Sequence, residues 1–280
     1  MDSCRVPDNE QASAADSEFY DTTYAGFADQ LNATIRSEAF GEEIGQNSWL
    51  TADEQRRFSA WLELGASSDV LEVASGSGGP ALFMVRETGC RVTGIDLHDR
   101  GVAAANEAAA DHGLSDRARF VRVDAREPLP FDDGSFDALL CIDSINHMYE
   151  RARVLGEWHR VLRLGGRLLF TDPITVTGMI RREEMVVRSG SMGEFVFTPR
   201  GVDEALLKAA GFGDIRAKDV TPNMAAVAAA WREARSVHAA DLDQIEGAEA
   251  NARFQEFLGV VERLASERRL SRVAYLARNP

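Results

Sequence analysis

Cysteines, basic residues and long apolar runs are all scarce in this 280-residue sequence. Cys4, Cys90 and Cys141 lie far apart without a CxxC pair, and the five histidines are scattered, so the sequence indicates neither a disulfide framework nor a zinc site. No apolar run approaches the roughly 18 residues that span a bilayer, and the first residues lack the basic and apolar segments of a secretory signal. We therefore expect a cytoplasmic protein without a membrane partner.

The charge balance argues against a nucleic-acid partner. The chain carries 31 basic and 45 acidic residues, which gives a formal net charge of −14. This charge repels a phosphate backbone, whose neutralisation by Lys and Arg supplies most non-specific nucleic-acid affinity. Hydrophobic residues make up 45% of the chain and are sufficient for a large core. The sequence neither favours nor excludes a homodimer.

One stretch has the composition of a nucleotide-binding turn. An apolar run with one acid, residues 70–73, precedes a loop of small residues, 74–79, and Pro80 suits the first position of a helix over 81–88. A predicted strand over 91–95 ends on Asp96, where a carboxylate can accept hydrogen bonds from ribose hydroxyls. Because the glycines of this loop also satisfy the dinucleotide fingerprint, an NAD-dependent dehydrogenase stays open at this point.

The remainder of the chain alternates predicted strands with predicted helices. Further strands are predicted over 120–123, 136–142, 167–171, 215–220 and 271–278, and further helices over 101–112, 150–162, 202–210 and 223–267. This alternation favours an α/β fold with a doubly wound, mostly parallel, seven-stranded Rossmann-like sheet.

The segments outside this alternation define the expected organisation of the chain. We expect residues 1–18, which are polar, to be disordered, and residues 19–66 to form an N-terminal helical cap. Residues 67–280 form the expected core, with a lid-like insertion at 174–199 and a helical addition at 223–267. We see no internal repeat and no flexible linker, so we predict one compact unit.

The order of the motifs resembles the class I S-adenosylmethionine-dependent methyltransferases, in the branch that acts on small molecules. The resemblance covers the chain from about Phe19 to the C-terminus. It depends on Glu72-x-Ala74-x-Gly76-x-Gly78-Gly79, Gly94-Ile95-Asp96, Asp124-Ala125, the run Leu-Pro-Phe-Asp-Asp-Gly-Ser-Phe-Asp at 129–137, and Arg160-Val-Leu-Arg-Leu-Gly-Gly166. A dehydrogenase explains only the first two of these motifs.

The resemblance implies S-adenosylmethionine as the cofactor and assigns residues to it. Glu72 and the small-residue loop would hold the methionyl part, Asp96 the ribose hydroxyls, and Asp124 with the Ala125 backbone the adenine edge. The full expected set is Glu72, Ala74, Gly76, Gly78, Asp96, Leu97, Asp124, Ala125 and Cys141. Ala74 stands where many relatives have glycine, and we expect it to keep ordinary backbone angles because alanine disfavours positive φ.

Catalysis then requires alignment of the acceptor atom with an activated methyl group, and a base only where the acceptor holds a proton. His147, after the fourth strand, is the candidate base; the alternative is that it only shapes the pocket. The cap aromatics Tyr20, Tyr24 and Trp49 could close over the site, and Arg181 and Glu194 offer both signs of charge to the acceptor.

The sequence leaves the chemistry of the acceptor open. It predicts methyl transfer to the nitrogen or oxygen of a small molecule such as an amine, an amino-acid-like compound or a secondary metabolite. Methylation of carbon, or a cofactor-binding subunit without catalysis, are the alternatives. No metal ligand set is expected.

Overall fold

The computed structural model describes residues 30–190 and 195–280. Its strands are β1 Asp69–Val73, β2 Arg91–Asp96, β3 Ala118–Arg122, β4 Phe136–Cys141, β5 Leu162–Val176, β6 Thr198–Pro199, β7 Gly213–Asp219 and β8 Leu270–Arg278. Its α-helices are α1 Gln30–Phe40, α2 Ala52–Trp61, α3 Gly79–Thr88, α4 Asp99–Asp111, α5 Arg151–Val161, α6 Arg182–Gly190, α7 Val202–Ala209, α8 Thr221–Val237, α9 Ala239–Leu242 and α10 Ala248–Ser266. A 3-10 turn, Ile145–His147, and a π turn, Asp243–Gly247, complete the assignment.

The strands form one mixed sheet in the order β3-β2-β1-β4-β5-β8-β7, and the two-residue β6 pairs with β5 beside this path. The pairs from β3 through β5 are parallel, whereas β8 is antiparallel to both β5 and β7. The predicted doubly wound, mostly parallel sheet is confirmed, and β6 adds an eighth strand to the seven that the sequence predicted. Because the strand order reverses beside β1, the carboxyl ends of β1, β2 and β4 border the crevice in which such folds bind ligands.

The fifth strand is longer than the sequence predicted. We expected a strand over 167–171, because the stretch from Pro173 to Pro199 breaks the alternation of strands and helices. In the structure β5 continues to Val176, since antiparallel pairing with β8 resumes at Thr175 opposite Ser271, and the register shifts around Pro173. Residues 174–176, which we assigned to the insertion, are therefore the end of a core strand.

Hydrophobic side chains cover both faces of the sheet and form a third cluster among the helices. Helices α3 and α4 pack on one face through side chains such as Leu82 and Met84, and α5 packs on the other through Leu155 and Trp158. The third cluster joins α1, α8 and α10 and includes Trp49. The predicted helical addition is thus present as α8 to α10, which begin at Thr221 rather than at residue 223.

Two further observations concern the described part of the chain. Within it, no helix combines the length and the apolar composition that a bilayer crossing requires. Cys90 and Cys141 are buried free thiols there.

Candidate active site

A cavity of about 230 Å³ opens at the carboxyl ends of the parallel strands. Its wall on one side, the sheet half, is built from the segments that follow β1, β2 and β3. Its wall on the other side, the helix half, is built from residues 45–49, the segment after β4, and helices α6, α8 and α10. The aromatic side chains of the helix half are Trp49, Tyr149, Trp231, Phe254, Phe257 and also Phe195, which lies after α6.

The turn after β1 bends sharply because it contains left-handed residues. Ala74 has φ 57° and Gly76 has φ 54°. Our expectation of ordinary angles at Ala74 was therefore wrong. The turn directs the N–H of Ser75 to the Ile95 carbonyl at 3.0 Å and the N–H of Gly76 to Asp96 Oδ2 at 2.8 Å. These hydrogen bonds to β2 offset a left-handed alanine, which costs roughly 1–2 kcal/mol.

Gly78 serves packing rather than the cavity wall. It has φ 78° and precedes α3 as its N-cap. A Cβ at this position would lie 2.7 Å from Ala105 Cβ and 2.8 Å from Phe120 Cζ. The glycine therefore lets α3 approach α4 and β3 closely, and it does not line the cavity.

The carboxyl group of Glu72 is the most unusual group of the sheet half. It is 4% exposed, and among the described residues its Oε2 has no hydrogen-bond partner. Burial and the neighbouring Asp96 carboxyl raise the pKa of Glu72 to about 8. A buried acid of this kind is stabilised by a cation, and the amino group of a methionyl moiety would supply one.

Asp96, the last residue of β2, and Asp124, two residues after β3, present further acceptors. Asp96 Oδ1 accepts from the His98 N–H at 2.9 Å, Oδ2 accepts from Gly76, and each oxygen keeps a second lone pair. Burial raises the pKa of Asp96. Asp124 is held by Arg126, whose Nη2 donates to Oδ2 at 2.8 Å. Burial alone would raise the pKa of Asp124, but the Arg126 contacts hold it below its ordinary value.

The segment after β4 is fixed by a buried network of charges. Asp143, with φ 52°, accepts at Oδ1 from Arg272 Nε at 2.7 Å and from Thr171 Oγ1 at 2.7 Å. Its Oδ2 accepts from the Trp49 N–H at 3.1 Å, and Arg272 also pairs with Glu54 at 2.5 Å. Both Arg272 and Glu54 are fully buried. The network therefore ties the cap and β8 to the segment that carries the candidate base.

His147 lies in the helix half, in the 3-10 turn beside Asn146. Its ring packs on Phe195 with a centroid distance of 4.9 Å. Burial lowers the pKa of His147 to about 4, and the positive charges of Arg188 and Arg126 contribute in the same direction. The imidazole is thus neutral at pH 7, and it is a weaker base than an unperturbed histidine.

The structure brings most of the expected site residues together. Those that line the cavity are Trp49, Glu72, Ala74, Gly76, Asp96, Leu97, Asp124, Ala125 and His147. Gly78, Cys141 and Arg181 do not line it: Cys141 is fully buried in the core, and Arg181 is exposed before α6. Tyr20, Tyr24 and Glu194 lie outside the described residues.

Several cavity residues were missed by the sequence reasoning. The aromatic wall includes Trp231 of α8 and Phe254 and Phe257 of α10, which we treated only as parts of a helical addition. The three-residue spacing of the two phenylalanines, which places them on one helix face, was the available signal. Arg126, which binds Asp124, was also missed.

The residues of the sheet half fit S-adenosylmethionine. The partnerless Glu72 oxygen suits the amino group, the lone pairs of Asp96 suit the ribose hydroxyls, and the small residues 74–77 leave room for the chain between them. Ser75 also lines the cavity, and its Oγ is a second buried polar atom without a partner in the described chain.

Comparisons with known proteins agree with this fit. A family described as a methyltransferase domain matches residues 71–170. The chain is 31% identical over 272 residues to 27-O-demethylrifamycin SV methyltransferase of Amycolatopsis mediterranei, covering 92% of this chain and 95% of the relative.

Two solved structures share the fold. Phosphoethanolamine N-methyltransferase 2 of Haemonchus contortus, solved with phosphomonomethylethanolamine and S-adenosylhomocysteine, is 20% identical with a TM-score of 0.79, covering 95% of this chain and 60% of that one. The [4+2]-cyclase SpnF is 24% identical with a TM-score of 0.74, covering 94% of both chains. The matches decide against the dehydrogenase alternative: the chain belongs to the class I S-adenosylmethionine-dependent methyltransferases that act on small molecules.

Proposed function

We propose that this enzyme methylates a hydroxyl oxygen of an apolar, ring-bearing small molecule. The observation that carries the proposal is the helix half of the cavity, which combines an aromatic wall with a neutral imidazole. An aromatic wall suits a ring-bearing acceptor, because stacked and edge-to-face contacts add to the burial of apolar area. The full-length relative, a methyltransferase named for a 27-O-demethyl compound, supports an oxygen acceptor.

The charges of the helix half support a hydroxyl over an amine. Asp143 is the one carboxylate among the described residues that line this half, and Arg272, Thr171 and the Trp49 N–H already bind it. Burial first, and then the charges of Arg188 and Arg126, lower the pKa of His147, so the imidazole is neutral and offers no negative charge to a protonated amine. A neutral or anionic acceptor therefore fits this half better.

The chemistry divides between cofactor and protein. S-adenosylmethionine supplies, when bound, a methyl group on a positively charged sulfur that is already activated for displacement. In our proposal Glu72, Asp96 and Asp124 hold the cofactor, the aromatic wall orients the acceptor and excludes water, and His147 accepts the hydroxyl proton. Alignment alone can contribute about 7–11 kcal/mol to lowering the barrier. If His147 only shapes the pocket, alignment is the whole of the mechanism.

The cover of the site is part of the same proposal. We propose that residues 19–66 act as a cap and that the insertion after β5, residues 177–199, acts as a lid, supported by the positions of Trp49, Arg188 and Phe195 in the cavity wall. We also propose a cytoplasmic location, which the free thiols of Cys90 and Cys141 suit. Light scattering of the purified protein tests whether it forms a homodimer, which the sequence leaves open.

The test is a matched screen for methyl transfer. Three acceptors on one ring system, 2-naphthol, 2-naphthylmethanol and 2-naphthylmethylamine, are incubated with enzyme and S-adenosylmethionine, and formation of S-adenosylhomocysteine is followed. We expect turnover with a hydroxyl acceptor and little with the amine. Mass spectrometry of the products separates methylation at oxygen from methylation at carbon. Turnover confined to the amine contradicts the proposal, and turnover with none of the three favours the non-catalytic alternative.

A further inference from the structure

Asn146 carries a buried polar atom that the fold leaves unsatisfied. The residue lies in the 3-10 turn after β4 and is 1% exposed. It lines the cavity, and its Oδ1 has no hydrogen-bond partner among the described residues. A buried oxygen without a donor costs free energy, and the large majority of buried polar atoms in proteins are paired. Because the atom belongs to a residue of the cavity wall, a ligand of the cavity is the candidate donor.

Backbone contacts hold Asn146 in place without using its side-chain oxygen. Its carbonyl accepts from the Val196 N–H at 2.8 Å. The Val196 carbonyl accepts in turn from Nη2 of the buried Arg151 at 3.2 Å. Arg151 is itself fixed by ion pairs of 2.8 Å with Asp172 and with Asp203. An apolar side chain of similar volume at position 146 would keep these contacts and leave no unsatisfied oxygen, so the amide is better explained by a ligand than by the fold.

The hydrogen-bond donors of the cofactor have acceptors elsewhere in the cavity. In the proposed function its amino group pairs with Glu72, its ribose hydroxyls with Asp96 and its adenine amine with Asp124. These three residues line the sheet half, whereas Asn146 lines the helix half beside His147. The donor to Asn146 is therefore a group of the methyl acceptor rather than of the cofactor.

The hydroxyl that reacts is a poor partner for this oxygen. When it is methylated, its oxygen forms a bond to the methyl carbon, the bond between that carbon and sulfur breaks with its electron pair left on sulfur, and the hydroxyl proton leaves. An amide oxygen accepts a hydrogen bond but does not take the proton at neutral pH. A hydrogen bond from the reacting hydroxyl to Asn146 would therefore stabilise the bound substrate and be lost in the transition state. A second hydroxyl keeps its proton, and hence its hydrogen bond, throughout the reaction.

We propose that Asn146 determines the specificity of the acceptor by accepting a hydrogen bond from a second hydroxyl group, which is not methylated. Asn146 and His147 are adjacent in one turn, so the acceptor is a ring-bearing diol whose two hydroxyls are neighbours. The inference rests on the proposed function and deepens it by naming the class of acceptor. It also limits the reaction to one methyl group, because the monomethyl ether keeps a single hydroxyl and binds through it at Asn146.

The first experiment measures binding and needs no methyl transfer. 3-Methoxy-2-naphthol has one hydroxyl, and 2,3-dimethoxynaphthalene has none on the same ring system. Their Kd values are measured by equilibrium dialysis with enzyme saturated with S-adenosylhomocysteine. We expect the wild type to bind the naphthol at least about tenfold more tightly, because a site built to receive a hydroxyl rejects the analogue without one. Asn146→Leu should bring the two Kd values together, and Asn146→Asp, which keeps an acceptor oxygen at the same position, should retain the preference.

The second experiment compares methyl transfer to 2,3-dihydroxynaphthalene, 2-naphthol and 3-methoxy-2-naphthol. We expect kcat/KM for the diol to exceed that for either single hydroxyl by at least about tenfold, and mass spectrometry to show one added methyl group. Asn146→Leu should remove this preference by lowering kcat/KM for the diol while leaving that for 2-naphthol unchanged.

Two controls separate recognition from loss of structure. The affinity for S-adenosylhomocysteine should be the same in the wild type and in both variants. The thermal unfolding temperature of Asn146→Leu should match or exceed that of the wild type, because the substitution removes a buried oxygen that has no partner in the described chain. A purely structural role of the amide would instead lower the unfolding temperature and weaken binding of both ethers alike.

Two binding results would overturn the proposal. Equal affinity of the wild type for the two ethers would mean that water satisfies Asn146 Oδ1. Loss of the preference in Asn146→Asp as complete as in Asn146→Leu would assign the effect to side-chain shape rather than to the acceptor oxygen. The proposed function is tested separately: methyl transfer to 2-naphthol as efficient as to the diol refutes the inference alone, whereas a binding preference that Asn146→Leu removes, without methyl transfer to any hydroxyl, refutes the function alone.

Discussion

The buried acid Glu72 allows cofactor binding to be followed through protons. Its pKa is raised to about 8 by burial and by Asp96. A group with this pKa is about 90% protonated at pH 7 and about 50% protonated at pH 8. If the amino group of S-adenosylhomocysteine pairs with the ionised carboxylate, binding should release about 0.9 proton at pH 7 and about 0.5 proton at pH 8.

Proton release is a sharper readout here than affinity. A charge-assisted hydrogen bond contributes roughly 1.5–3 kcal/mol. Ionising Glu72 at pH 7 costs about 1.4 kcal/mol, because its pKa lies about one unit higher. After this cost is subtracted from the hydrogen-bond energy, Glu72 contributes at most about 1.6 kcal/mol to binding. Glu72→Gln should therefore weaken binding by no more than roughly tenfold to twentyfold at pH 7. The same substitution should abolish proton release entirely.

Titration calorimetry in two buffers of different ionisation enthalpy measures the number of protons. The pH dependence of folding provides a control. The pKa of Glu72 is raised above its ordinary value of 4.5, so the folded state binds the proton more tightly than the unfolded state does. The free energy of unfolding should therefore fall as pH rises from 4.5 towards 8. Glu72→Gln should lack this loss and should unfold at a higher temperature than the wild type near pH 8. No proton release by the wild type, or equal release by the variant, would refute the assignment of Glu72 to the amino group.

Three further predictions concern other parts of the site. Asp96→Ala removes the expected acceptor of the ribose hydroxyls, so the Kd for S-adenosylhomocysteine should rise at least about tenfold in calorimetry; an unchanged Kd would place the ribose elsewhere. The imidazole of His147 should titrate by NMR at about pH 4, so activity on a hydroxyl acceptor should stay level above about pH 5 and fall as the ring is protonated. His147→Gln should lower kcat by roughly 10²–10⁴ if the ring is a base, and wild-type kinetics in this variant would remove it from the mechanism. Arg272→Met leaves two buried carboxylates without their cation and should cost about 3–5 kcal/mol in urea unfolding, against about 0.5 kcal/mol or less for the exposed control Arg182→Met; equal losses would contradict the structural role of the network.

Local sequence signals were sufficient for the sheet and for the sheet half of the cavity. Alternating strands and helices, the small-residue turn and the acids near the carboxyl ends of β1, β2 and β3 are all signals that act within a few residues of one another. A parallel sheet then brings these strand ends to one edge, so Glu72, Asp96 and Asp124 were found without knowledge of long-range contacts. The error at Ala74 arose because hydrogen bonds to β2 override the backbone preference of alanine.

The helix half could not be predicted in the same way, because its residues come from distant parts of the chain. Trp49 precedes α2, Arg188 belongs to α6, and Phe254 and Phe257 belong to α10. Each of these side chains is typical of an amphipathic helix or a loop when considered alone. What brings them together is the packing of the third hydrophobic cluster, and no local pattern in the sequence encodes that packing.

The charge network behind the cavity could not be predicted from local sequence signals either. Its energetics suggest what the network does. Arg272 lies 129 residues from Asp143 and 218 residues from Glu54. Asp143 has a left-handed backbone, which costs roughly 1–3 kcal/mol in a residue other than glycine. A buried pair of charges adds little stability on average, because desolvation offsets the attraction. The network around the strained Asp143 is therefore better explained by positioning than by a gain in stability. It fixes where β4 ends and where the turn that carries His147 begins.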